Sequence, residues 1–423
     1  MTKTPKSLRL QIGLFGRTNV GKSSFLNLVS GQDVALTSEQ PGTTTDIVQK
    51  AMELLPLGPV TFLDTGGLDD TSVLGELRVQ RTQKAFHRAD ISVLLTEAGI
   101  WGPFEEQVAE EARKHKVPLI AVINKIDQLQ PQNGFFDHLK TITPNVLSLS
   151  CHQPEKREQY VNDFKKHVIA VCPDEFLNPP ALIGDLLPSG GLAVLVVPID
   201  LQAPKGRLIL PQVQTIRDAL DNDAATLIVK EREYAYMLSL LNRKPDVVVC
   251  DSQVVMKMVA DTPEDVKCTT FSILFARYKG DLIENVRGAA ALESLNPGDR
   301  VLIAEACSHH AMEDDIGRVK IPRWLRQYVG GDLAIDVCSG RDYPDNLTEY
   351  KTIVHCGGCM LTRREVLYRL HTARQTHVPV VNYGVCISLL QGVLERALSP
   401  FPAALHTYNS EKNRLRTACS RAN

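Results

Sequence analysis

The sequence predicts an α/β chain: an N-terminal doubly wound sheet followed by two smaller parallel α/β units. Three observations predict it. Over the first 170 residues, short apolar runs alternate with longer amphipathic stretches in the order βαβα. The runs at 91–96 and 118–123 are apolar nearly throughout, as strands covered on both faces of a parallel sheet must be. After a proline- and glycine-rich break at 172–191, the alternation starts again with LAVLVVP at 192–198.

Each element follows in order. Residues 8–15 read as the first strand and 23–30 as the helix after it. Residues 59–63 form a strand leading into Asp64, and helices are expected at 75–89 and 104–116 between the remaining strands. The break holds Pro173, Pro179, Pro180, Pro188 and the pair Gly190 and Gly191, which is linker chemistry. Strands of the second unit are expected at 192–198, 226–229, 247–250 and 270–275. A third unit begins near Asp281, with strands at 300–304, 332–337, 351–355 and 378–383, then a long apolar helix over 385–398. The expected domains are therefore 1–172, 173–280 and 281–423.

Composition sets outer bounds. With 423 residues, 43% hydrophobic and 23% charged, every unit can bury a core, and a mainly disordered chain is excluded. A net charge of −2 and a pI near 6.6 argue against a polybasic nucleic-acid binder. No run approaches the ~20 apolar residues of a membrane helix, and the first residues lack the apolar region of a signal peptide. A cytoplasmic protein is expected, with neither membrane nor nucleic acid as partner. Ten cysteines are many for such a chain. In a reducing compartment they are buried residues, a metal or cluster site, or a mixture, rather than a disulfide framework.

Gly16, Gly21, Lys22 and Ser23 fit the pattern G-x-x-x-x-G-K-[ST], after a strand and before a helix. Its glycines let backbone N–H groups turn toward phosphate oxygens, Lys22 supplies charge near the β- and γ-phosphates, and the Ser23 hydroxyl can ligate Mg²⁺. Ser24 and Asn19 belong to the same turn. Asn124-Lys125-Ile126-Asp127 follows the strand at 118–123. A carboxylate at Asp127 can accept from guanine N1 and N2, a donor pair adenine lacks; Asn124 can bond the base edge and tie it to the phosphate loop, and the Lys125 stem can pack on the ring. Asp64-Thr65-Gly66-Gly67 places a carboxylate near Mg²⁺ and a glycine near the γ-phosphate. A threonine from Thr43, Thr44 and Thr45 can complete the Mg²⁺ shell, with Thr44 favoured. Ser150, after the strand at 146–149, is either the last guanine-facing residue or an ordinary turn residue. Lys22, Asp64 and Gly67 are the expected catalytic residues of GTP hydrolysis to GDP.

In order and spacing these motifs resemble the translation-factor-class GTPases of the Era/TrmE type, over about residues 8–170. The resemblance implies Mg²⁺-dependent hydrolysis with two nucleotide-sensitive loops, near 33–46 and 64–75. Ras-like enzymes place a water-orienting Gln where this chain has Leu68, so slow or assisted turnover is expected. In TrmE-like relatives the asparagine matching Asn19 helps hold an activating K⁺; here that role and a hydrogen-bonding role in the loop both stand.

Two further clusters lie in the C-terminal third: Cys307-Ser308-His309-His310 and His355-Cys356-Gly357-Gly358-Cys359. A C-x-x-C pair brings two sulfurs within reach of one metal centre, and thiolates suit Zn²⁺ or iron–sulfur clusters. Both clusters follow predicted strands, so the carboxyl edge of one parallel sheet can gather them. Cys307, Cys356 and Cys359 with His309 or His355 can make a tetrahedral Zn²⁺ site; the three cysteines alone suit a [4Fe–4S] cluster with one iron open. Cys338 and Cys386 sit at similar strand ends, as added ligands or as small buried hydrophobes. Cys151, Cys172, Cys250, Cys268 and Cys419 read as structural, and His87, His115, His138 and His167 as solvated.

A GTPase unit followed by C-x-H and H-C-x-x-C resembles the [FeFe]-hydrogenase maturation GTPases of the HydF family, over the whole chain. That resemblance implies a [4Fe–4S] cluster on Cys307, Cys356 and Cys359, and carries over His309 and His355 as well. By their chemistry the two histidines can be an exchangeable fourth ligand or donors to a cluster sulfur, with Asp200, from another unit or subunit, as an alternative fourth ligand. It implies a scaffold that assembles a diiron precursor with radical-SAM maturases and delivers it to apo-[FeFe]-hydrogenase, and a middle domain that makes a homodimer. Two other readings compete: an RNA- or ribosome-associated GTPase with a structural zinc domain, against which the neutral charge weighs, and a metal-delivery GTPase, which would carry histidine-rich tracts that are absent.

Overall fold

Seven buried residues make the first strand, β1 (Leu10–Gly16). The computed structural model describes residues 4–31, 48–65, 83–198, 208–306, 315–340, 343–344 and 346–422. In it β1 sits inside a six-stranded sheet of order β2-β3-β1-β4-β5-β6. Its neighbours are β2 (Val48–Leu54), β3 (Gly58–Asp64), β4 (Ile91–Glu97), β5 (Leu119–Asn124) and β6 (Val146–Ser148). All pairs are parallel except β2 with β3. Strand β2 was not legible in the sequence: it is a half-exposed edge strand whose VQKAMEL carries no apolar run. Helices α1 (Lys22–Ser30), α2 (Pro103–Lys114), α3 (Asn133–Ile142) and α4 (Arg157–Val171) accompany it. Phe25 of α1 meets Phe164 of α4 edge-on, ring centroids 5.1 Å apart, which fixes α1 behind the loop that precedes it.

The chain separates into two compact units, Met1–Pro179 and Pro180–Asn423. The separation falls inside the 172–191 stretch, but the stretch is not free chain throughout. Leu182, Ile183 and Leu187 are buried in the second unit's core. One carboxylate oxygen of Asp218 accepts the N–H groups of Leu182, Ile183 and Gly184 at 3.1, 2.7 and 2.7 Å.

The second unit holds two four-stranded sheets, of orders β10-β9-β7-β8 and β12-β11-β13-β14. The first comprises β7 (Leu192–Val196), β8 (Ala225–Val229), β9 (Val247–Cys250) and β10 (Lys267–Thr270). The second comprises β11 (Arg300–Glu305), β12 (Ala334–Ser339), β13 (Thr352–His355) and β14 (Val380–Asn382). Both are parallel throughout. Its longer helices are α5 (Leu210–Asp221), α6 (Phe271–Lys279), α7 (Leu282–Leu292), α8 (Ile321–Val329), α9 (Arg363–Gln375), α10 (Tyr383–Leu390) and α11 (Pro402–Ala422). Val194 and Val248 of one sheet and Val354 and Val381 of the other belong to a single core, joined by Leu274, Phe275 and Val286.

Two expectations fail here. Residues 270–275 are not a strand: β10 ends at Thr270, and α6 begins at Phe271. The run FSILFA is buried and shows no period, so only the cap distinguishes the two states; the Thr270 side chain accepts from Ile273 N at 3.1 Å. The long helix over 385–398 is broken, since α10 ends at Leu390, Gly392 takes φ +72°, and a short helix resumes at Leu394–Ala397. Among the described residues no helix is long and apolar enough to cross a membrane.

Helix α7 approaches β14 through Gly288, where an added Cβ would lie 2.0 Å from the Val380 carbonyl oxygen and 2.5 Å from its carbon. A mid-helix Gly→Ala change ordinarily stabilises by up to ~1 kcal/mol. Here the sign should reverse, with Gly288→Ala costing about 1–3 kcal/mol in denaturant unfolding, because backbone cannot yield as a side-chain tip can.

Candidate functional site

The nucleotide loop is built by the turn between β1 and α1. Gly16 and Gly21 take φ of +151° and +98°, and Asn19 takes +64°. A Cβ at Gly21 would lie 2.4 Å from Asn124 Nδ2, so only glycine lets the two motifs touch. Asn124, buried at the end of β5, donates to the Val20 carbonyl at 2.8 Å and accepts from Cys151 N–H at 3.3 Å. One amide thereby joins the phosphate loop, the N-K-x-D segment and the segment after β6. The Lys22 ammonium donates to the carbonyls of Gly16 and Arg17, both at 2.7 Å, which folds it across the loop. Ser23 and Ser24 are exposed in the first turn of α1.

At the base-facing end, Ser150 Oγ donates to Asp127 Oδ1 at 2.5 Å. That hydrogen bond, reinforced by the charges of His152 and Lys125, holds the Asp127 carboxyl below its usual range, so it stands ionised as an acceptor. Lys125, at φ +60°, donates to Glu97 Oε1 at 2.6 Å. Asp64 closes β3, in register with Leu14. Thr44, with Thr43 and Thr45, and Gly67, with Gly66 and Leu68, lie outside the described residues, as does Asp200.

One residue of this site gave no sequence signal. Glu105 is fully buried and takes both Arg17 Nε and Nη2, at 2.7 and 2.6 Å, while its Oε2 accepts Gly102 N–H at 3.0 Å. The sequence shows only an acidic residue in the first turn of a helix; that it also pins the phosphate loop requires the fold.

In the second unit, β11 and β13 lie side by side with Ala304 opposite His355. Just beyond them, Cys356 N–H donates to Ala304 O at 3.0 Å and Ala306 N–H donates to Cys356 Sγ at 3.1 Å. Ala306 immediately precedes Cys307 in the sequence. Cys356 and Cys359 are half-buried, and burial pushes the Cys359 thiol up while the Lys279 charge opposes it. Among the described residues no three His, Cys, Asp or Glu side chains are gathered as a metal site; Cys307, His309 and His310 lie outside those residues.

His355 is buried behind the loop. Its Nε2 accepts from Arg369 Nη1 at 2.9 Å, and its Nδ1 lies 2.5 Å from the Cys356 carbonyl, to which it donates. Burial, and then the Arg369 charge, bring it down to about 3, so the imidazole is neutral with the proton on Nδ1. Arg369, 2% exposed, also lies over the Tyr343 ring at 4.6 Å and donates to Gly340 O at 3.2 Å. The Lys279 ammonium, also 2% exposed, donates to the carbonyls of Cys359 and Leu361 at 2.9 and 2.7 Å. Burial depresses its pKa to about 8, with Cys359, Glu365 and Cys356 opposing. Neither cation was foreseen: Arg369 is one of several arginines on α9, and Lys279 ends a helix whose apolar run reads as a strand. Cys386 is fully buried and its thiol is pushed far up; Cys338, at the end of β12, is half-buried. Cys172, Cys250 and Cys268 are buried and Cys151 is half-buried. The donor chemistry suits an iron–sulfur or zinc centre: two thiols on a glycine turn, one already receiving N–H···S, with two buried cations behind them.

Fold and loop geometry define a P-loop GTPase domain joined to a parallel two-sheet unit with a cysteine loop at one sheet edge. Residues 11–125 match the family model described as 50S ribosome-binding GTPase. Residues 182–280 match that of the hydrogen maturase F dimerization domain, and residues 283–400 that of its tetramerization domain. The chain belongs to the hydrogen maturase F family of hydrogenase maturation GTPases. It is 30% identical over 221 residues to GTPase Der of Clostridium botulinum (strain Okra / Type B1), covering 50% of this chain and 48% of Der. It is 34% identical over 131 residues to GTPase Era of Clostridioides difficile (strain 630), covering 30% of this chain and 44% of Era. The chain spans about half the length of the curated relatives it matches. Among solved structures, Era in complex with MgGDPNP and nucleotides 1506–1542 of 16S ribosomal RNA is 26% identical over 37% of this chain and 56% of that one. Its TM-score of 0.31 is too low to carry an argument.

Proposed function

We propose that this chain hydrolyses GTP and serves as an iron–sulfur scaffold and carrier in [FeFe]-hydrogenase maturation, a cytoplasmic role. In this reading residues 1–172 bind nucleotide, 173–280 dimerise and 281–423 carry a [4Fe–4S] cluster. The observation that carries the reading is the Cys356–Cys359 loop: its first sulfur already accepts the N–H of the residue before Cys307, and Arg369 and Lys279 stand buried behind it. Cys307, Cys356 and Cys359 would hold the cluster. A cluster bound by three cysteines supplies one exchangeable iron, where a diiron precursor can attach and leave. Both nitrogens of His355 are engaged by protein, which favours a supporting role behind the sulfurs; His309 is the remaining candidate for an exchangeable ligand. Radical-SAM maturases and apo-[FeFe]-hydrogenase are the proposed partners, and the matched domain types favour oligomers.

At the nucleotide, Gly16, Gly21, Lys22, Ser23 and Ser24 hold the phosphates. Ser23, Thr44 and Asp64 serve Mg²⁺, Gly67 meets the γ-phosphate, and Asn19 is the candidate for K⁺. Asn124, Lys125, Asp127 and Ser150 read guanine. Asp127→Asn should weaken GTP binding about 10- to 100-fold, the worth of one bidentate base contact, and raise affinity for xanthosine triphosphate, whose 2-carbonyl accepts from the new amide. Titration with both nucleotides checks this.

The match of residues 11–125 alone would equally suit a ribosome-associated GTPase, but residues 182–400 point elsewhere. Anaerobic reconstitution followed by iron, sulfide and zinc analysis and EPR separates the two. About four irons per chain and a reduced [4Fe–4S] signal are expected; stoichiometric zinc without iron would sink the scaffold reading.

A further inference from the structure

We propose that Lys279 is a positioning residue for the cysteine loop, a buried ammonium by which the dimerization-type region holds the backbone carrying Cys356 and Cys359. This rests on the cluster reading above, but the geometry stands apart from it. Lys279 Nζ donates to the carbonyls of Gly358, Cys359 and Leu361, at 3.4, 2.9 and 2.7 Å. A lysine in the last turn of a helix ordinarily serves that helix's own final carbonyls. These three acceptors all belong to the loop.

Other contacts of α6 make it a brace. At its start, Ser272 Oγ donates to Asn382 Oδ1 at 2.9 Å and accepts Gly384 N–H at 3.1 Å. At its end, the Tyr278 carbonyl accepts from Arg363 of α9 at 2.5 Å. Arg277 turns the opposite way, to the Asp185 carboxylate and to the carbonyls of Ala181 and Leu182 at 3.0 and 2.9 Å. Residue 279 lies in the stretch matching the dimerization domain, and its three acceptors lie in the stretch matching the tetramerization domain. A buried ammonium is costly, and an apolar residue of similar volume often serves stability as well. The carbonyls turned onto Lys279 fix the loop's orientation, and the charge sits where a thiolate-bound, negatively charged centre would gain from it.

The test uses the full chain as wild type, Lys279→Met, Lys279→Gln and Lys279→Arg. In the metal-free proteins, amide exchange of residues 357–361 should quicken by at least about tenfold in Lys279→Met. After anaerobic reconstitution, Lys279→Met should show a more negative cluster potential and an altered EPR line shape, and Lys279→Arg should restore both. Loop exchange, potential and line shape all equal to wild type in a folded Lys279→Met would overturn the proposal. Should Lys279→Met not fold, Lys279→Gln, which keeps a donor without the charge, decides on the same readouts. If wild type takes up no iron, the cluster reading fails, and the exchange measurement alone decides the role of Lys279.

Discussion

Lys22→Ala should lower GTP turnover on the order of 10²–10³-fold, the range found when one preorganised donor to a developing charge is removed. Iron uptake by the same preparation should not change. Lys22 Nζ rests on the carbonyls of Gly16 and Arg17, and the loop beneath is held independently by Asn124 on Val20 and by Glu105 on Arg17. Removing the ammonium therefore takes away charge at the phosphates without loosening the turn. The cysteine loop is built within a unit that has its own core, so GTP is not expected to be a chemical partner of the cluster. A switching role through domain arrangement or partner affinity remains the natural use of hydrolysis. Measuring phosphate release and iron on one sample decides the matter; a parallel loss of iron would refute the independence.

The second large effect is a contrast between two cysteines of the same unit. Cys356→Ala should reduce iron from about four per chain to nearly none, with unfolding little changed, because Cys356 is half-buried at a strand end. Cys386→Ala should do the reverse. Its side chain is fully buried in the shared core, so the loss of its sulfur should cost about 1–2 kcal/mol while iron is retained. Denaturant midpoints and iron analysis, run on both variants, give a crossed pattern. Equal iron in the two would remove Cys356 from the ligand set.

Much of this was legible because the signals are local. The strand–loop–helix around Lys22 and the N-K-x-D segment after β5 are short stretches whose chemistry dictates their backbone, and both stand where the pattern placed them. The carboxyl ends of β11 and β13 also come together as parallel-sheet topology requires. What was hidden depends on contacts distant in sequence. Lys279 lies roughly 80 residues from its acceptors, Arg369 of α9 meets His355 14 residues earlier in the chain, and Glu105 reaches Arg17 across 88 residues. No periodicity marks such a pairing before the chain has folded. The misread 270–275 segment failed for another reason: a fully buried helix and a buried strand are equally apolar, and a single threonine cap is the only local difference.

The two sheets of the second unit share one interior, and the join between the stretches matching two named domain types falls inside it. Such modules are not interchangeable parts. A chimera spliced at Gly280 would have to find new neighbours for Phe275 and Ala276 on one side and for Leu282 and Val286 on the other, all at once. Viable recombination points should instead gather at the Pro179–Pro180 seam, where each side already closes over its own interior. Relatives that trade their nucleotide-binding unit are therefore easier to build, in the laboratory or by natural exchange, than relatives that trade only the cysteine-bearing third.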